Sequence, residues 1–146
     1  MNTKPRVLGY WLTTGLFAVA FLASGAAELA GAPAAVTATL ALGYPAYVLT
    51  ILGVWKVLSV PALLAPRLPR LKEWAYAGIF FDLTGAAVSH AVTGDSPGKI
   101  ATPLVLLLIA AASWALRPSS RTLRADATSP KRAQPVASPE GVTAHA

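Results

Sequence analysis

The sequence predicts an all-α protein, a membrane-embedded four-helix bundle with both termini cytoplasmic. Three observations carry that prediction. The 146 residues are 55% hydrophobic and only 12% charged, where a soluble domain carries about 25% charge, and the mean hydropathy is +0.56. The apolar residues fall into four runs, each near the length that crosses ~30 Å of hydrocarbon at ~1.5 Å per residue. Ten of the 12 Lys and Arg residues lie on one side of those runs, which is the asymmetry that sets membrane orientation.

The first span runs from about Leu8 to Ala30. Lys4 and Arg6 precede it and small residues close it, as in a signal peptide. A signal h-region is only ~7–15 residues, so a retained helix is expected instead. Tyr10 and Trp11 open the span at the depth where amphipathic rings favour the interface. Ala20, Ser24 and Glu28 recur every fourth residue, with Gly31 just beyond. Small residues at that spacing let another helix approach closely.

Residues 31–41 carry no charge and read as an outer loop or a partly embedded connection. The second span covers 42–64, with Tyr44 and Tyr47 near its outer end and Pro45 in its first turn, where a missing N–H costs little. Lys56 lies well inside it, and Pro61 is placed to kink the helix or end its regular part.

The loop that follows carries Arg67, Arg70 and Lys72, with Pro66 and Pro69 stopping the helix before it. The third span, 74–93, contains Asp82 and His90 and the small residues Gly78, Gly85 and Ser89. Thr93 to Gly98 is dense in turn formers and predicts a tight exposed connection. The fourth span, 100–117, is uncharged until its last residue, Arg117, with Pro103 in its opening turn. From 118 to 146 the composition turns to Pro, Ser, Ala and scattered charge without an apolar period, which predicts a disordered basic cytoplasmic tail.

Charge distribution decides between partners. A net charge of +6 invites a nucleic-acid reading. The basic residues sit in short loops and the tail, and not on one face, so the lipid bilayer is the expected partner and nucleic acid is not. Lys4, Arg6, the central loop and the tail are assigned to the cytoplasm, and Lys99 alone to the other side. With no cysteine, the chain has no disulfide or thiolate chemistry.

Candidate chemistry rests on four polar residues inside the spans: Glu28, Lys56, Asp82 and His90. Charged groups at such depth are costly, face a protein interior and tend to pair. Asp82 and Lys56 fall at one depth on consecutive antiparallel spans, ~12 Å above the cytoplasmic edge, and are expected to form an ion pair. Glu28 and His90 both lie toward the outer face and are expected near each other. No metal site is expected, because neither spacing nor ligand number converges on one. A bis-histidine haem needs two intramembrane ligands, and His90 is alone, so only a symmetric dimer sharing it would hold one.

The motifs Gly53-Val54-Trp55-Lys56, Leu71 to Gly78 (LKEWAYAG), and Ser89-His90 with Gly94-Asp95 resemble those of the DoxX-like family of small four-helix bacterial membrane proteins. The resemblance covers roughly residues 8–117. It implies the fold, a place in the bacterial cytoplasmic (inner) membrane, and a redox or quinone setting, since some such proteins are subunits of thiosulfate:quinone oxidoreductases or of membrane redox complexes. Two readings stay open. One is a quinone-linked or redox-complex subunit, with Trp55, Phe80 and Phe81 lining an apolar slot and His90 exchanging protons. The other is a non-enzymatic membrane partner or assembly factor, alone or as a homo-oligomer, whose polar residues serve fold specificity. A small transporter is the weaker third.

Overall fold

The computed structural model describes residues 3–122. They form five α-helices and one short 3-10 turn, with no strand among them. The helices are α1 (Thr3–Leu29), α2 (Pro33–Ala41), α3 (Tyr47–Leu64), α4 (Pro69–Val92) and α5 (Pro97–Ala115), and the 3-10 turn is Ser119–Arg121. Three of them, α1, α3 and α5, are long and apolar enough to cross a membrane. α4 has 24 residues but carries Arg70, Lys72, Glu73, Asp82 and His90.

Proline sets three of the starts. Pro33, Pro69 and Pro97 each stand in a first turn, where the fixed φ suits a helix and no hydrogen bond is lost. This moves several boundaries from those expected. Pro69 opens α4 several residues before 74, so Arg70 and Lys72 lie within the helix instead of in the loop before it. Residues 33–41, expected as an outer loop or a partly embedded connection, form the helix α2, none of whose residues is buried. α3 begins at Tyr47 and not at Leu42, because Gly43 turns the chain with a φ of 83° and Pro45 follows. Pro61 lies inside α3, which continues to Leu64. Pro103 likewise lies inside α5, which Pro97 opens.

α1 packs against α3 and α5, and α4 packs against α5 and α3, so each long helix has two long neighbours. Phe17, Phe21, Val60, Leu63, Tyr76, Ile79, Leu83 and Ala110 fill the centre. Within it the Tyr76 hydroxyl lies 2.7 Å from Ser113 Oγ, and Ser113 Oγ lies 2.6 Å from Thr14 Oγ1. This chain of hydroxyls links α4, α5 and α1 and satisfies polar groups that burial would otherwise penalise. The outward faces are apolar as well: Val19, Trp55 and Phe81 are each about two-thirds exposed or more, at 70%, 67% and 71%. Large apolar side chains exposed on every long helix suit contact with lipid.

One end of the fold is fastened by basic side chains. The last four carbonyls of a helix lack intrahelical partners, and here cations meet them, as the helix dipole favours. Lys72 is buried and donates to Leu63 O and Ala62 O at the end of α3. Arg121 reaches Leu64 O at 3.4 Å and stacks over the Trp11 ring at 4.6 Å. Arg6 donates to Ala115 O and Arg117 O, each at 3.3 Å. Arg117 pairs with Glu73 at 2.7 Å. The stretch from 118 to 122, expected to begin a disordered tail, thus returns to the helices, while the rest of that tail lies outside the described residues.

Candidate functional site: an ionic cluster beside an apolar groove

The site begins with two glycines. α1 and α3 cross at Gly25 and Gly53, where a Cβ on either residue would come within 3.0 Å of the other's carbonyl oxygen. Only residues without a side chain allow backbones this close. Glu28 is three residues beyond Gly25 and Lys56 three beyond Gly53. The crossing therefore brings the two side chains together, and Lys56 Nζ is in direct contact with Glu28 Oε1. Ser24, one turn before Glu28, donates to the same oxygen at 3.3 Å.

Asp82 on α4 approaches from the other flank, with Oδ2 3.9 Å from Lys56 Nζ. The expected Lys56–Asp82 pair is thus present at the outer limit of an ion pair, while the direct partner of Lys56 is Glu28. The side chains of Lys56, Glu28 and Asp82 are only 13%, 11% and 17% exposed. Glu28 Oε2 is buried and, among the described residues, has no hydrogen-bond partner. The Phe21 ring lies 5.7 Å from Lys56 Nζ, giving the cation an aromatic face.

Glu28 and His90, expected near each other, are joined by no hydrogen bond or ion pair among the described residues. Each has another partner, for a reason in the local backbone. At the end of α4, Gly94 takes φ 72°, Gly94 N–H donates to Ala91 O, and Asp95 N–H donates to His90 O at 3.0 Å. This is the Schellman arrangement, which requires a left-handed residue and folds the chain back over the last turn. It lays Asp95 against His90, whose Nδ1 lies 2.8 Å from Asp95 Oδ2. Lys99, in the first turns of α5, reaches the other oxygen at 2.6 Å. Lys99 foremost, and then His90, hold the Asp95 carboxyl down from 3.8 to about 2. His90 is therefore part of a clasp between α4 and α5 and not of the ionic cluster.

Between α3 and α4 runs a groove of about 930 Å³. Trp55, Trp74 and Phe81 line it together with Phe21, and Lys56 and Asp82 supply its charged groups. Phe80, expected on the same wall, faces instead the smaller depression between α4 and α5, beside Tyr76 and Trp114. The two rings meet edge to face, with centroids 5.5 Å apart, but adjacent helical residues point about 100° apart, so the rings open onto different sides of α4. Among the described residues no three His, Asp or Glu side chains gather as a metal-holding group.

Sequence reasoning missed the Glu28–Lys56 contact and the glycines that cause it. The signal was present, since Gly25 and Gly53 each stand three residues before a charge of opposite sign.

Comparison with known proteins gives one family. The model of the DoxX-like family matches residues 12–113, which takes in the Gly25–Gly53 crossing, all three members of the ionic cluster and the His90–Asp95–Lys99 clasp. No curated protein matches the chain, and no solved structure does.

Proposed function

The chain belongs to the DoxX-like family, and from that premise we propose an integral protein of the bacterial cytoplasmic membrane that acts as a quinone-linked or redox-complex subunit. Family membership and three apolar helices fit an integral membrane protein. In this reading α4 spans the membrane as well, third in chain order, its polar residues covered by α3 and α5, and the four long helices form a bundle with both termini cytoplasmic. The Lys and Arg count supports that orientation, because the end that carries Arg6, Arg67, Arg70, Lys72, Arg117 and Arg121 belongs inside.

The observation that carries the redox reading is the groove. It is apolar, aromatic and large enough for a ring-bearing amphiphile, since ligand sites run to ~300–1,000 Å³. Its charged groups, Lys56 and Asp82, offer a hydrogen-bond donor and an acceptor to a quinone carbonyl or hydroxyl. Asp82, and not His90, then becomes the group that exchanges a proton with the ligand. The second reading is the non-enzymatic partner or assembly factor. The Gly25–Gly53 crossing favours it, because a Glu28–Lys56 pair set by helix packing serves register as well as chemistry.

Two measurements test this. Gently solubilised protein is extracted and its quinone content assayed. Stoichiometric quinone, lost in Asp82→Asn, supports the first reading, and a stoichiometric protein partner without quinone supports the second. For topology, single cysteines at Ala34 and Ser96 react with an impermeant thiol reagent from outside and one at Ser119 does not. The opposite pattern overturns the orientation.

A further inference from the structure

The ionic cluster beside the groove holds two carboxyl groups and one amine. Lys56 is the one cation of the cluster, and its ammonium is in direct contact with Glu28. Asp82 stands 3.9 Å away and, among the described residues, makes no hydrogen bond. Two carboxyl groups thus share one ammonium, and Asp82, which has the longer contact to it, is the one that lines the groove. An ionised Asp82 at this depth is costly unless a cation faces it, so a positively charged occupant and the ionised carboxyl favour each other.

The walls suit the same occupant. Trp55, Trp74, Phe81 and Phe21 present aromatic rings, and the faces of such rings attract cations, most strongly where water is excluded. Trp55 and Phe81 are also largely exposed at the rim, so a hydrophobic ligand dissolved in lipid has a direct way in. An anionic amphiphile would meet Asp82 with only an already paired Lys56 in return.

We propose that the α3–α4 groove binds lipophilic organic cations, with the charge of the ligand set against Asp82 and its apolar substituents against Trp55, Trp74 and Phe81. This rests on reading the groove as a ligand site and adds a ligand class to the quinone considered above.

Two ions of nearly equal size, shape and hydrophobicity and of opposite sign make the test. Tetraphenylphosphonium and tetraphenylborate are titrated into the full chain in detergent, with a short-chain benzoquinone as the neutral probe. The cation is expected to bind saturably and at least about tenfold more tightly than the anion, a difference of about 1.4 kcal/mol. Asp82→Asn is expected to abolish that preference and Asp82→Glu to retain it. Should Asp82→Asn fail to fold, Trp55→Leu at the exposed rim is expected to weaken cation binding about threefold. Equal binding of the two ions, or preference for the anion, overturns the proposal, and benzoquinone binding in that case leaves the quinone reading standing. Cation binding without benzoquinone binding upholds the proposal and counts against the quinone reading. No saturable binding of any probe overturns both.

Discussion

Gly25 and Gly53 meet across the α1–α3 crossing with no room for a methyl group on either. A Cβ at Gly53 would lie 2.9 Å from Leu29 Cγ and 3.1 Å from Glu28 Cβ as well as 3.0 Å from the Gly25 carbonyl. The backbone oxygen cannot swing aside as a side chain does. Gly53→Ala is therefore expected to lower stability by about 1–3 kcal/mol, the range for overpacking, despite the helix propensity of alanine. Gly85→Ala, where nothing lies within 4 Å, is the matched control and is expected to be neutral or slightly stabilising. Thermal unfolding in detergent measures both. A Gly53→Ala protein as stable as the control would show that the helices can part without loss.

The ionic cluster makes a coupling prediction. Removing one member of a buried pair strands the other and costs about 3–5 kcal/mol, whereas replacing both costs far less. Lys56→Met alone is expected to be more destabilising than Lys56→Met with Glu28→Gln. The coupling of Lys56 to Glu28 is expected to exceed its coupling to Asp82, because the first contact is direct and the second is 3.9 Å. Double-mutant cycles in detergent measure the two couplings. Additive losses for Lys56 and Glu28 would mean that the pair contributes nothing.

The clasp at the α4–α5 turn makes a prediction in pH. Lys99 and His90 hold Asp95 at about 2, below its ordinary 3.8. A carboxyl depressed on folding stabilises the fold above its unfolded value, and that contribution is lost as pH falls through the folded one. The clasp should therefore be at full strength above about pH 4 and fade toward pH 2. Asp95→Asn removes it at every pH. The difference in thermal midpoint between the two proteins is expected to shrink between about pH 5 and pH 2. A difference that stays constant over that range would assign the effect of the variant to something other than the charge of Asp95.

Fold class was legible because it depends on quantities that a sequence states outright. Long apolar runs, few charges and Pro or Gly at the breaks determine helices without strands, and the motifs around Trp55 and Trp74 were enough to point to the family. The helix ends near Leu29, Leu64 and Val92 were legible, while the starts at Pro69 and Pro97 were misplaced because proline's fitness for a first turn was not given its weight.

The sequence by itself determined that Glu28, Lys56, Asp82 and His90 would lie within helices, because each falls inside a long apolar run. It also placed Asp82 level with Lys56. Which groups touch was decided by the tertiary structure alone. Height along a helix does not fix rotation about it, nor how closely two axes approach. Gly25 and Gly53 decided the approach and gave Lys56 to Glu28. A left-handed Gly94 folded Asp95 onto His90 and took that histidine out of the cluster. The ~100° step between neighbours put Phe81 in the groove and Phe80 outside it.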